Sequence, residues 1–163
     1  KRGGALDKEA LSRGTSVYFP DRVLPMLPES LSNGACSLNE GEDRYTLSCL
    51  MKVDKKGNVA ESELTEGVIC SSNRMTYSKV TAILEGDEAL RKEYAHLIPM
   101  LEDMRALAGI LMQKRDKRGS IDLDVREAKI TADGENIEVS AYERTISHRI
   151  IAVSYTHLTL PTT

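Results

Sequence analysis

Between residues 44 and 54 the apolar Tyr45, Leu47, Cys49, Met51 and Val53 alternate with Arg44, Thr46, Ser48, Leu50 and Lys52, a set that is polar except for Leu50. A two-residue period sends the two sets to opposite sides of an extended chain, so the stretch predicts a half-buried strand. Lys55-Lys56-Gly57-Asn58 is a turn sequence, and residues 59–70 form a second strand candidate whose Glu61, Glu63 and Glu66 mark a solvated edge. Together they predict an antiparallel hairpin. The period then changes. Residues 76–84 and 87–117 read as helices, because Leu90, Tyr94, Leu97, Ile98, Leu101, Met104, Leu107, Ala108, Leu111 and Met112 recur at spacings of three and four. Pro99, lacking an N–H, should kink or split the longer run near its first third. Residues 121–129 and 130–143 return to strand patterning, with Ala132-Asp133-Gly134-Glu135-Asn136 as the turn. Residues 146–151 start another helix. Residues 153–163 carry no Asp, Glu, Lys or Arg and contain Pro161, so that helix is expected not to continue.

The N-terminal quarter follows different rules. Residues 6–13 predict a short helix with Asp7 as N-cap, Leu6, Ala10 and Leu11 on one face, and Gly14 as its stop. The segment after it, residues 13–38, holds Pro20, Pro25 and Pro28, which exclude both a continuous helix and a central strand. Its Val17, Phe19, Val23, Leu24, Met26 and Leu27 are too many apolar groups to leave in water, so the segment is expected to lie against a core. A pinned loop that also presents Arg13, Tyr18 and Arg22 suits a ligand. Residues 28–31 look like one helical turn stopped by Asn33-Gly34.

Composition narrows the function classes. The 163 residues fit one domain or part of a larger one, and 22 basic against 25 acidic residues give a net charge of -3. That balance excludes the general basic excess of a free-standing nucleic-acid binder, although local patches remain. The local cluster Lys-Arg-Asp-Lys-Arg at residues 114–118 suits a helix C-terminus, where the macrodipole favours cations; phosphate contact is the other reading. Cys36, Cys49 and Cys70 are odd in number and widely spaced, which supports neither a disulfide framework nor a zinc knuckle, so they are expected to be reduced core residues of a cytoplasmic protein. No run approaches the roughly 18 apolar residues of a membrane span. The chain has no phosphate loop, nucleotide-binding glycine fingerprint, HExxH, paired CxxC or nucleophile elbow, and His96, His148 and His157 are scattered. Asp122 and Asp124 share a side of an extended run, where a solvated face is favoured over a metal pair. The residues alone therefore point to an α+β binding surface without a complete active site.

The peculiar segment LDKEALSRGTSVYFPDRVLPMLPESLSNGACSL, residues 6–38, resembles the RNB catalytic domain of the ribonuclease R family, with ribonuclease II a more distant member. The resemblance runs on through RYTLSCLMKVDKKGNV, SSNRMTYSKV and RGSIDLDVREAKI to SHRII. It implies a partial RNB catalytic domain over residues 1–151, antiparallel hairpins packed with helices, followed by a tail at 152–163 that resembles translated adapter read-through. The parent it implies is a magnesium-dependent, processive 3′-to-5′ exoribonuclease that hydrolyses single-stranded RNA to nucleoside monophosphates, with no DNA or membrane as partner. By the same resemblance this chain carries part of the RNA channel, while the family's metal-binding aspartates lie upstream and a supporting arginine segment downstream, so no catalytic or metal-binding residue is assigned and the piece alone is expected to be inactive. Tyr18 falls at the family tyrosine that packs on the 3′-terminal nucleotide; an aromatic shelf grips any base, at about 1–3 kcal/mol per base. Tyr77 resembles a tyrosine near the ribose, where a phenol can bond the 2′-OH that DNA lacks. Leu123 stands where relatives often carry a Phe that sandwiches the terminal bases, and Ala152 stands where they carry a glutamate. Two other readings stay open: a non-enzymatic RNA-binding module and an inert structural remnant.

Overall fold

The computed structural model describes residues 1–120, 127–133, 136–142 and 144–159. The chain divides into two compact units. One comprises Lys1–Thr46, Val68–Arg74 and Arg126–Tyr142; the other comprises Leu47–Gly67, Met75–Val125 and Glu143–Thr163.

The first unit opens with helix α1, Ala5–Arg13, which ends where Gly14 takes φ 70° and its N–H returns to the Ala10 carbonyl. The N-cap is Gly4 rather than Asp7. Asp7 sits inside the first turn, where its carboxylate accepts the Gly3 N–H at 2.7 Å and complements the helix dipole. The proline-bearing segment folds on itself: β1, Val17–Tyr18, pairs antiparallel with β2, Val23–Leu24, through a turn in which the Phe19 N–H meets the Arg22 carbonyl at 2.8 Å. Contrary to expectation this segment is not laid against a core, since Val17, Phe19, Val23 and Leu24 are each 43–46 % exposed. Backbone pairing holds it instead, helped by the Met26 N–H on Ser16 Oγ (3.0 Å) and the Arg13 guanidinium on the Pro25 carbonyl (3.2 Å). The predicted single turn at 28–31 is also corrected. A π-helix, Ser30–Ala35, runs through Asn33-Gly34, and the Cys36 N–H closes on the Leu31 carbonyl at 2.9 Å.

Further along this unit, the Arg74 N–H bonds the Glu40 carboxylate at 2.7 Å and the Gly41 N–H bonds the Ser71 carbonyl at 2.9 Å. Strands β5, Glu127–Asp133, and β6, Asn136–Tyr142, pair antiparallel with Ile130 opposite Val139. Among the described residues this unit buries no side chain.

Strands β3, Asp43–Val53, and β4, Val59–Cys70, form the predicted hairpin, closed by the Asp54 N–H on the Asn58 carbonyl at 2.9 Å. The second unit adds the helices. Thr76 caps α2, Tyr77–Glu85, and Gly86 at φ 104° ends it; Asp87 caps α3, Glu88–Glu93. A 3-10 turn at Ala95–Leu97 then leads into α4, Ile98–Lys117. Pro99 splits the long run, because the first turn of a helix is where a missing N–H costs nothing. The core of this unit joins Ile83 and Leu84 of α2 to Leu101, Ala108 and Leu111 of α4 and to Ile150 and Val153 of the last helix, α5, Ile146–Thr159. The expected stop of α5 near residue 152 does not occur. Ile146, Ile150 and Val153 are spaced four and three apart on one face, and Val153 is only 2 % exposed.

The cysteines are free thiols, but none is a core residue: Cys36 and Cys70 are exposed and Cys49 is half-buried. Asp122, Leu123 and Asp124 lie outside the described residues, as does the turn pair at 134 and 135. Among the described residues no helix is long and apolar enough to cross a membrane.

Candidate nucleic-acid interface

Tyr18 ends β1, and its backbone pairs with Val23 in a ribbon only two residues long on each side. Pro20 occupies the second position of the turn that follows, where its fixed φ pre-sets the reversal. At the end of so short a ribbon Tyr18 is 77 % exposed. Beside it in sequence the Arg22 guanidinium lies over the Phe19 ring at 5.2 Å and pairs with Asp21 at 3.0 Å. The tip thus offers an open aromatic face with a cation four residues on, across the turn, a combination that can stack a base next to its phosphate.

Tyr77 is built quite differently. It is the first residue of α2, behind the Thr76 cap, and its ring stacks on His148 with centroids 4.0 Å apart and planes 19° from parallel. Three hydroxyls surround this contact. Ser147 Oγ donates to the Tyr77 carbonyl at 2.9 Å, Thr81 Oγ1 lies 2.8 Å from Ser147 Oγ and 2.9 Å from Thr145 Oγ1, and Thr145 Oγ1 lies 2.7 Å from His148 Nδ1. Thr81 and Ser147 are buried, whereas Tyr77 keeps 46 % of its surface in solvent. Sequence reasoning found Tyr77 only through resemblance and missed Thr81, Thr145, Ser147 and the role of His148. The available signal was the pair Thr145 and Ser147 bracketing the start of a helix, a position where hydroxyls take backbone bonds.

Tyr18 and Tyr77 belong to different units. Leu123, the remaining residue assigned to RNA, lies outside the described residues. Among the described residues no three His, Cys, Asp or Glu side chains come together to hold a metal ion. One carboxyl, Asp54, is held below its ordinary range, chiefly by the Asn58 N–H and side-chain amide, with Lys56 adding to the effect.

Comparison with known proteins agrees with these elements. The RNB domain profile matches residues 1–156. Ribonuclease R of Vibrio parahaemolyticus is 46% identical over 150 residues, covering 90% of this chain and 18% of that protein. A solved structure described as Mycoplasma genitalium RNase R in complex with ribose methylated single-stranded RNA superposes with a TM-score of 0.84 at 30% identity, covering 94% of this chain and 24% of that one. A second structure of the same protein, described as in complex with double-stranded RNA, gives the same TM-score of 0.84. The chain therefore spans about a fifth of the length of the curated relative it matches. With the profile extending over residues 1–156 of the 163, this chain belongs to the RNB domain family.

Proposed function

We propose that this chain forms part of the RNA-gripping surface of a cytoplasmic, processive 3′-to-5′ exoribonuclease, with Tyr18 as the shelf for the 3′-terminal base of a single strand and Tyr77 beside a ribose. The observation that carries the reading is the open Tyr18 ring at the tip of a proline-set turn, in a chain of the RNB domain family. Stacking is indifferent to base identity, which suits an enzyme that degrades whatever sequence enters. Leu123, where relatives often carry a sandwiching Phe, leaves the clamp on the terminal bases one-sided in this reading. The relatives' solved complexes contain single- and double-stranded RNA, which supports RNA as the ligand class. Magnesium and its ligands come from the remainder of the parent, and the chain alone performs no hydrolysis.

Equilibrium binding of a fluorescent single-stranded oligoadenylate tests the shelf. Tyr18→Ala should weaken binding about 5- to 150-fold, the equivalent of about 1–3 kcal/mol for one stacked base. Affinity that ignores this substitution would remove Tyr18 from the interface. Release of mononucleotides by the 163-residue chain in Mg²⁺ would refute its assignment as inactive. An inert remnant is the second reading, favoured by the absence of any buried side chain among the described residues of the first unit; it predicts no measurable RNA binding at all.

A further inference from the structure

The contact between Tyr77 and His148 is anchored more heavily than packing alone requires. Thr145 places its backbone N–H 3.3 Å from His148 Nδ1, with that nitrogen as acceptor. The Thr145 hydroxyl approaches the same nitrogen at 2.7 Å. Between Thr145 and His148, Ser147 reaches back to the Tyr77 carbonyl at 2.9 Å. The start of α5 therefore holds Tyr77 at two points, its main chain through Ser147 and its ring plane through His148. Buried Thr81, one turn along α2 from Tyr77, ties the Ser147 and Thr145 hydroxyls together.

A stack that served only the core would be expected inside it. This one sits at the surface, with the Tyr77 ring 46 % exposed although the imidazole covers one of its faces. A phenol on an exposed helix start would otherwise sweep its hydroxyl through a cone as χ1 and χ2 vary. Locking the ring plane fixes the direction in which that hydroxyl can meet a ligand, and a hydrogen bond to a single ribose hydroxyl depends on direction.

We propose that His148 is a positioning residue for ribose recognition: its imidazole, oriented by Thr145, sets the plane of the Tyr77 ring so that the phenol addresses a 2′-OH. This inference rests on the reading of Tyr77 given above and adds to it a residue and a geometric role.

The test compares the affinities of the 163-residue chain for oligoadenylate and oligodeoxyadenylate of equal length, taken as a DNA-to-RNA ratio of Kd. NMR signals of the Tyr77 ring, whose shifts report a stacked neighbour, are followed in parallel. Tyr77→Phe keeps the ring and removes the hydroxyl, so it defines the ratio without ribose recognition. His148→Ala should lower the ratio several-fold, to the Tyr77→Phe value, and move the Tyr77 ring signals. His148→Phe, which retains an aromatic plane, should keep most of the ratio. His148→Leu fills the volume without such a plane and replaces the alanine variant if that one unfolds. A ratio that falls in Tyr77→Phe but stays at the wild-type value in His148→Ala or His148→Leu overturns the positioning role and leaves the Tyr77 reading intact. Equal losses in His148→Phe and His148→Leu would assign the effect to packing and also overturn it. No change in Tyr77→Phe, or no RNA binding by the chain, defeats the ribose reading itself and the inference with it.

Discussion

Asp54 shows how one carboxylate can close a turn. Its Oδ1 accepts the N–H groups of Lys56 and Asn58, both at 2.8 Å, and its Oδ2 accepts the Asn58 side-chain amide at 3.0 Å. These bonds favour the charged form, which is why its pKa lies below the ordinary carboxylate value. A depressed folded-state pKa contributes stability that is present above the unfolded value and lost as pH falls through the folded one. The hairpin turn should therefore loosen only in the acid range below the ordinary carboxylate pKa, and Asp54→Asn should abolish that dependence. The amide proton shifts of Lys56 and Asn58, followed against pH, check this; a midpoint above the ordinary value would reverse the sign. At this scale the sequence was readable where backbone chemistry decides. Pro20 and Pro25 did exclude helix and central strand. It was misleading where burial decides, because Val17 and Phe19 are apolar whether or not a surface is available to cover them.

Among the elements, the β3–β4 turn and α4 are joined by Gly57 and Lys114. Gly57 is buried at φ 76°, and a Cβ there would stand 3.1 Å from Ile110 Cγ2 and 3.4 Å from Leu111 Cδ2. Lys114 Nζ donates to the Gly57 carbonyl and to Asn58 Oδ1, each at 2.8 Å. One ammonium of the 114–118 cluster is thus committed to structure. Gly57→Ala should cost about 1–2 kcal/mol for the left-handed backbone, with crowding against Ile110 added to it. Lys114→Met, which keeps the stem and removes the donors, should cost about 1 kcal/mol. Urea unfolding followed by circular dichroism measures both, and an unchanged midpoint in either variant would show that the turn is not docked in solution. Lys55-Lys56-Gly57-Asn58 was legible as a turn because turn chemistry is local, but its seat on α4 was not, since the partner lies more than fifty residues away. Helix α5 was misjudged for a related reason. Reading residues 153–163 as a separate texture cut Val153 away from Ile146 and Ile150, the two residues that complete its apolar face.

For the molecule as a whole, the two units differ in what holds them. The second has a core of α2, α4 and α5 side chains; the first, taken by itself, buries none among its described residues. The β5–β6 hairpin states the problem most clearly. Ile130 and Val139 are direct cross-strand partners, Ile137 lies two residues along on the same face, and the three are 50, 65 and 71 % exposed. Alternation in the sequence showed that this ribbon has an apolar face, but periodicity carries no information about what covers it. A two-stranded ribbon with such a face open to water is marginal by itself. Amides of α2, α4 and α5 should accordingly resist hydrogen exchange while those of β1, β2, β5 and β6 exchange near the open-chain rate. The same face should drive concentration-dependent self-association of the chain, since contiguous exposed branched side chains on an unpaired edge gain by covering one another. Placing a charge in the middle of the patch opposes that gain at every encounter. Ile137→Lys should reduce the associated fraction in sedimentation velocity while leaving the slow-exchanging amides of the second unit unchanged. Association that persists undiminished would mean that another surface drives it, and slow exchange in β5 and β6 would mean that the ribbon is already covered.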